Sequence, residues 1–188
     1  MGNFYANFTV RTPNQSAVAA ALDGRSAIVT PPEGECVVVA DEEADTKNTE
    51  VIRSLSQSLS SRLGCPVLAV LNHDDDILWY CLVKSGEIVD EYDSSPGYFD
   101  SDAEPSPPAG GDAKELCSAF ESPAVDRVEE VLRKSSYDDD GYVFAYERHA
   151  DLAAALGLPA LSVGLGFDYA SEGDLPEDLS DDRLVRVR

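Results

Sequence analysis

Two acidic segments hold the residue types best suited to chemistry. Asn72-His73-Asp74-Asp75-Asp76 sets an imidazole beside three carboxylates. Asp93-Ser94-Ser95-Pro96-Gly97-Tyr98-Phe99 carries a carboxylate, two hydroxyls and two aromatic rings. Carboxylates are hard oxygen donors of the kind that hold Ca²⁺ or Mg²⁺. Two carboxylates pressed together also raise one another's proton affinity, which suits acid/base work. One expectation is therefore a divalent-metal site made of His73, Asp74, Asp76 and Asp93. A second is a recognition loop made of Trp79, Ser95, Tyr98 and Phe99, or a small-ligand pocket beside it, between the sheet and a C-terminal helical layer. Each has a structural counterpart. Asn-His-Asp-Asp-Asp is also a run of good turn formers, and aromatics in a loop commonly pin it to the core.

A hairpin is what would bring the two segments together. Ile77 to Val83 and Glu87 to Tyr92 are strand-like runs joined through Lys84-Ser85-Gly86. Ser-Gly between such runs signals a two-residue hairpin loop. An unbroken ladder from that loop pairs Lys84 with Glu87, Leu82 with Val89, Tyr80 with Glu91 and Leu78 with Asp93. Asp93 is then expected at the end of the sheet where the 72–76 turn lies.

Other signatures are missing. There is no EF-hand spacing, HExxH or GxSxG, and Gly164-x-Gly166 lacks the third glycine of a dinucleotide loop. No catalytic residue and no cofactor are assigned. The second histidine, His149, falls in a helical pattern among Tyr146, Arg148 and Asp151 and reads as a surface or half-buried residue. Cys36, Cys65, Cys81 and Cys117 form no CxxC pair. They read as free thiols in a reducing compartment.

The elements that must position these residues follow in chain order. Asn3 to Thr12 alternates with a period of two and predicts a strand. Asn14 caps a short helix; strands follow at Ser26–Thr30 and Glu35–Ala40. Lys47 to Leu63 carries an apolar stripe at Val51, Ile52, Leu55, Leu59 and Leu63 and ends at Gly64, which predicts a helix. Val67 to Leu71 is a buried strand. This strand-helix-strand-strand-helix-strand order is that of the ferredoxin-like split βαβ unit. Residues 94–112 are dense in Pro, Gly, Ser and Asp and read as a long loop and a possible subdomain boundary. Beyond them, helices are predicted from Asp112, from Ser122-Pro123 and over Tyr142–Leu156, then a strand over Leu161–Tyr169. The expected fold is a single α+β domain with a mixed, mainly antiparallel sheet. It has a βαββαβ start, an added hairpin and a C-terminal helical layer that returns one strand.

Charge narrows the partners. The 188 residues carry a net charge of -22 with 36 acidic and 14 basic side chains. Such a surface repels phosphate backbones and anionic lipids, so neither nucleic acid nor a membrane is expected as partner. A basic protein is the partner it suits. The first residues lack the basic and apolar regions of a secretory leader, and a cytoplasmic location is expected. Nothing in the pattern sets an oligomeric state.

The segments MGNFYANFTV, LNHDDDILWYCLVKSGEIVDEYDSSPGYF and LAAALGLPALSVGLGFDY together resemble a family of uncharacterised bacterial proteins. That resemblance implies a bacterial, intracellular protein and carries no activity or residue role. The expected function is non-enzymatic binding or interaction through the acidic surface, regulatory or toxin-neutralising. The alternative is a metal-binding domain or metal-dependent hydrolase at the 72–76 turn and the 93–99 loop.

Overall fold

The first six elements alternate as the sequence predicts. They are β1 (Tyr5–Val10), α1 (Gln15–Ala21), β2 (Ala27–Val29), β3 (Val37–Asp41), α2 (Thr49–Leu63) and β4 (Val67–His73). In this computed structural model, residues 2–98, 104, 106–136, 140–175 and 179–188 are described. Local chemistry sets the helix ends. Asn14 and Asn48 accept backbone N–H groups of α1 and α2, and Gly64 closes α2 in the left-handed region at φ +66°. The strands pair antiparallel in the order β4-β1-β3-β2, the ferredoxin-like arrangement.

The hairpin β5 (Ile77–Lys84) and β6 (Glu87–Asp93) extends the sheet beyond β4, and β7 (Ala109–Gly110) adds a short edge. Then come α3 (Ala113–Phe120), α4 (Val125–Arg133), α5 (Ala145–Leu156), α6 (Phe167–Glu172) and β8 (Val185–Val187). Among the described residues the sheet has eight strands in the order β7-β6-β5-β4-β1-β3-β2-β8, every pairing antiparallel.

Both faces of the sheet are covered, which is why β5 reads as an almost unbroken apolar run. Trp79, Cys81 and Val83 face α1 and α2, in a core with Phe8, Val39, Ile52 and Leu59. Leu78, Tyr80 and Leu82 face α3, α4 and α5, against Leu116, Val131 and Leu152. The chain beyond residue 112 thus packs on the same sheet as the first half. No helix among the described residues is long and apolar enough to cross a membrane.

Two expectations are corrected. The strand over Leu161–Tyr169 is instead a 3₁₀ turn at Ala160–Ser162 followed by α6. Gly164 turns the backbone at φ +93°, and the carbonyls of Ser162 and Leu165 accept from the Asn7 side-chain amide at 2.6 and 2.8 Å. A side chain of β1 thereby satisfies polar groups that a strand would have paired in a ladder. The strand the tail returns is β8, which lies beside β2.

The second correction concerns register. Lys84 does pair with Glu87, but a bulge shifts the ladder so that Val83 faces Ile88 and Leu82 faces Asp90. Val89 is the extra residue. A one-residue insertion sends every later side chain to the other face. Tyr92 therefore stacks on Tyr80 at 5.2 Å, and Asp93 sits opposite Trp79 rather than Leu78.

Candidate functional site

The 72–76 turn is built around the carboxylate left out of the expected metal set. Asp74 and Asp75 both adopt left-handed backbone, at φ +54° and +60°, a conformation Asp tolerates better than most residues. The Asp75 side chain turns inward. It accepts the Asn3 N–H and the Asn3 side-chain amide at 3.0 Å each, and the buried Asn72 amide at 3.1 Å. The spacing of Asn72 and Asp75 was the available sequence signal for this Asx-type closure.

The bulge decides which face the site occupies. With Asp93 on the same face as Trp79, the two lie on the α2 side of the sheet. There a cleft of about 640 Å³ opens. Leu71, Ile77 and Trp79 form its apolar floor, with His73 at the end of β4. Asp93, Ser95, Gly97 and Tyr98 form one wall; Lys47, Thr49 and Arg53 form the other. The pocket is therefore next to Trp79 and Tyr98, as expected, but lies against α2 and not against the C-terminal helices.

Its side chains are held in place. His73 meets Phe4 edge-on at 5.0 Å and Tyr98 at 6.4 Å. The Tyr98 hydroxyl donates to Asp76 Oδ2 at 2.6 Å, and that bond to a carboxylate holds the phenol above its usual range. Asp93 accepts the Ser95 N–H at 2.8 Å; burial is the main reason its carboxyl lies above the ordinary range. The Arg53 guanidinium lies over Trp79 at 5.2 Å and binds Glu91 at 2.7 Å and Glu50 at 2.6 Å. Lys47 projects over the Phe4 ring at 5.8 Å and forms no ion pair among the described residues.

The sequence-predicted residues are thus divided. His73, Trp79, Asp93, Ser95 and Tyr98 share the cleft. Asp76 reaches its rim through Tyr98, while Asp74 Oδ1 accepts the Gly2 N–H at 3.1 Å outside the lining. Phe99 lies outside the described residues. Among the described residues, no group of three or more His, Cys, Asp or Glu side chains is placed to hold a metal ion.

Lys47, Thr49 and Arg53 are the residues that sequence reasoning missed. Topology could have supplied them. A helix that runs into β4 and packs back on it must begin over the far end of that strand, where His73 stands. Asn48 marks that beginning.

His149 corrects another expectation, and Arg148 beside it is buried too, each 1% exposed. His149 Nδ1 shares a 2.8 Å hydrogen bond with the Tyr5 hydroxyl, and burial lowers its pKa to about 3, so the ring is neutral. Arg148 donates to Val131 O at 2.7 Å and Tyr92 Oη at 3.0 Å, with Tyr142 stacked 4.5 Å away. The four cysteines are free thiols; burial raises Cys36 and Cys81 to about 11.

No family model, curated protein or solved structure matches the chain.

Proposed function

We propose that the protein binds a small organic anion with a flat apolar body in the cleft between α2 and the ends of β4, β5 and β6. One observation carries this reading. In a chain of net charge -22, the cleft sets two cations, Lys47 and Arg53, across an apolar floor from a single lining carboxylate, Asp93. Arg53 is already matched by Glu50 and Glu91, whereas Lys47 has no ion-pair partner among the described residues. Lys47 stands just before the first turn of α2, where the helix dipole also favours negative charge. Tyr98 supplies an exposed flat face for the ligand body above the apolar floor that includes Trp79, and pockets of this size suit molecules of metabolite dimensions.

The test is a thermal-shift and calorimetric comparison of aromatic carboxylates, such as indole-3-carboxylate, with their neutral amides. The acids should raise the melting temperature at millimolar concentration and the amides should not. Lys47→Gln should weaken binding by about 10-fold or more, the value of one hydrogen bond to a charged group. Equal binding of acid and amide, or no shift with any acid tested, overturns the reading.

A further inference from the structure

We propose that the tip of the sheet, which adjoins the cleft and shares Tyr98 with it, is a docking face for a basic segment of another protein. Among the described residues few large apolar side chains are exposed, yet three of them fall together at the start of α5. Val143 is 75% exposed, Phe144 47% and Tyr146 39%, and the last two rings stack 6.1 Å apart. A hydrogen bond of 2.6 Å from Ala145 N to Asp75 O pins this group against the 72–76 turn. The exposed carboxylates Asp74 and Asp76 are on that turn, and both bear electrostatically on Tyr98, which is 44% exposed. The face thus presents aromatic rings on two sides of a pair of carboxylates. Glu147, whose carboxylate accepts the Phe144 N–H, adds negative charge beside the apolar group.

Charge selects the occupant. A second copy of this chain brings another -22 and is repelled, as are nucleic acid and anionic lipid. A lysine or arginine side chain finds here both carboxylates and ring faces suited to cation–π contact. An apolar residue beside it in the partner would cover Val143 and Phe144. Contiguous exposed apolar patches of this kind mark interaction surfaces.

The test uses the full chain and a synthetic peptide of alternating arginine and leucine, with a glutamate-leucine peptide as control. Amide chemical shifts should move around residues 74–76, 98 and 142–147 with the basic peptide alone. Val143→Ser combined with Phe144→Ser should weaken binding about 10-fold or more, and Asp74→Asn about threefold at low salt. Val89→Ser, at an exposed apolar residue elsewhere, should leave it unchanged. Asn tolerates the left-handed backbone at position 74, and the serine changes are at exposed sites, so the fold is retained. Four results overturn the proposal: no shifts at millimolar peptide, shifts spread over all acidic surfaces, equal binding of the acidic peptide, or a self-dimer abolished by the double serine variant. Indole-3-carboxylate binding to the cleft is read separately, so failure of one proposal is distinguishable from failure of the other.

Discussion

Replacing Asp75 by alanine removes the carboxylate that organises the hairpin tip, and its cost can be worked from the contacts. Asp75 is 8% exposed and accepts from Asn3 and Asn72; Asn72 is fully buried. Without its acceptor, the Asn72 amide becomes an unmatched buried donor, at a cost of about 1–3 kcal/mol. Asn3 is only part-buried, and water replaces some of what it loses, leaving about 0.5–1 kcal/mol. Alanine must also hold the left-handed backbone at φ +60°, which costs it about 1 kcal/mol more than aspartate. Together these predict a loss of about 2.5–5 kcal/mol for Asp75→Ala. At about 2–4 °C per kcal/mol for a chain of this size, the melting temperature should fall by about 5–20 °C. Asp75→Asn keeps the backbone preference and should lose about half as much. Asp74→Asn and Asp76→Asn, at exposed positions, should stay within about 0.5 kcal/mol of the parent. Urea melts followed by far-UV circular dichroism and by the single tryptophan, Trp79, measure all four. A loss below about 1 kcal/mol for Asp75→Ala, or an equal loss for Asp74→Asn, would show that the inward carboxylate does not organise the turn.

Two further outcomes follow from the same geometry. His149 is neutral in the fold because burial lowers its pKa to about 3, whereas the unfolded chain takes up its proton below an ordinary value of 6.5. The unfolded state therefore binds more protons in that window, and stability is lost as pH falls from about 6.5 toward 3. His149→Gln should flatten the stability profile between about pH 7 and 5, where ordinary carboxylates contribute little; parallel profiles would place the acid sensitivity elsewhere. The second outcome concerns metals. Among the described residues Asp74, Asp76 and Asp93 do not converge on one point with His73, so Ca²⁺, Mg²⁺ or Mn²⁺ at millimolar concentration should leave the melting temperature unchanged. A saturable rise with any of them would restore the four-ligand reading of His73, Asp74, Asp76 and Asp93.

The ferredoxin-like half was legible because its signals are local. Asn14 and Asn48 start helices, Gly64 ends one, and strand alternation needs only near neighbours. Gly157 and Asp112 acted the same way in the second half. Long-range signals were not legible. The alternation at 161–169 comes from a turn and a short helix whose apolar side chains happen to face β3 and β2. The deciding contact is the Asn7 amide, 155 and 158 residues away from its two acceptors. His149 reads as a surface or half-buried residue because its partner, Tyr5, is remote in the chain. No glycine marks the bulge at Val89, so the register could not be read from local chemistry. The glycine pair did mark one close approach: a Cβ on Gly166 would lie 3.0 Å from that of Tyr5.

The bulge links the fold to the proposed cleft. In an unbroken ladder, Tyr92 would face α2 and Asp93 would face the C-terminal helices. The shift places Tyr92 where its hydroxyl donates to Leu132 O and accepts from Arg148, so that guanidinium can be buried. The same shift sets Glu91 within 2.7 Å of Arg53 and turns Asp93 into the cleft. With Arg53 matched by Glu91 and Glu50, Lys47 is left as the cation that an incoming anion meets. One inserted residue thus sends Tyr92 to a buried network under the C-terminal helices and Glu91 and Asp93 to the α2 side. Shortening β6 by deletion of Val89 should therefore disturb both together, whereas a point substitution at its exposed side chain should disturb neither.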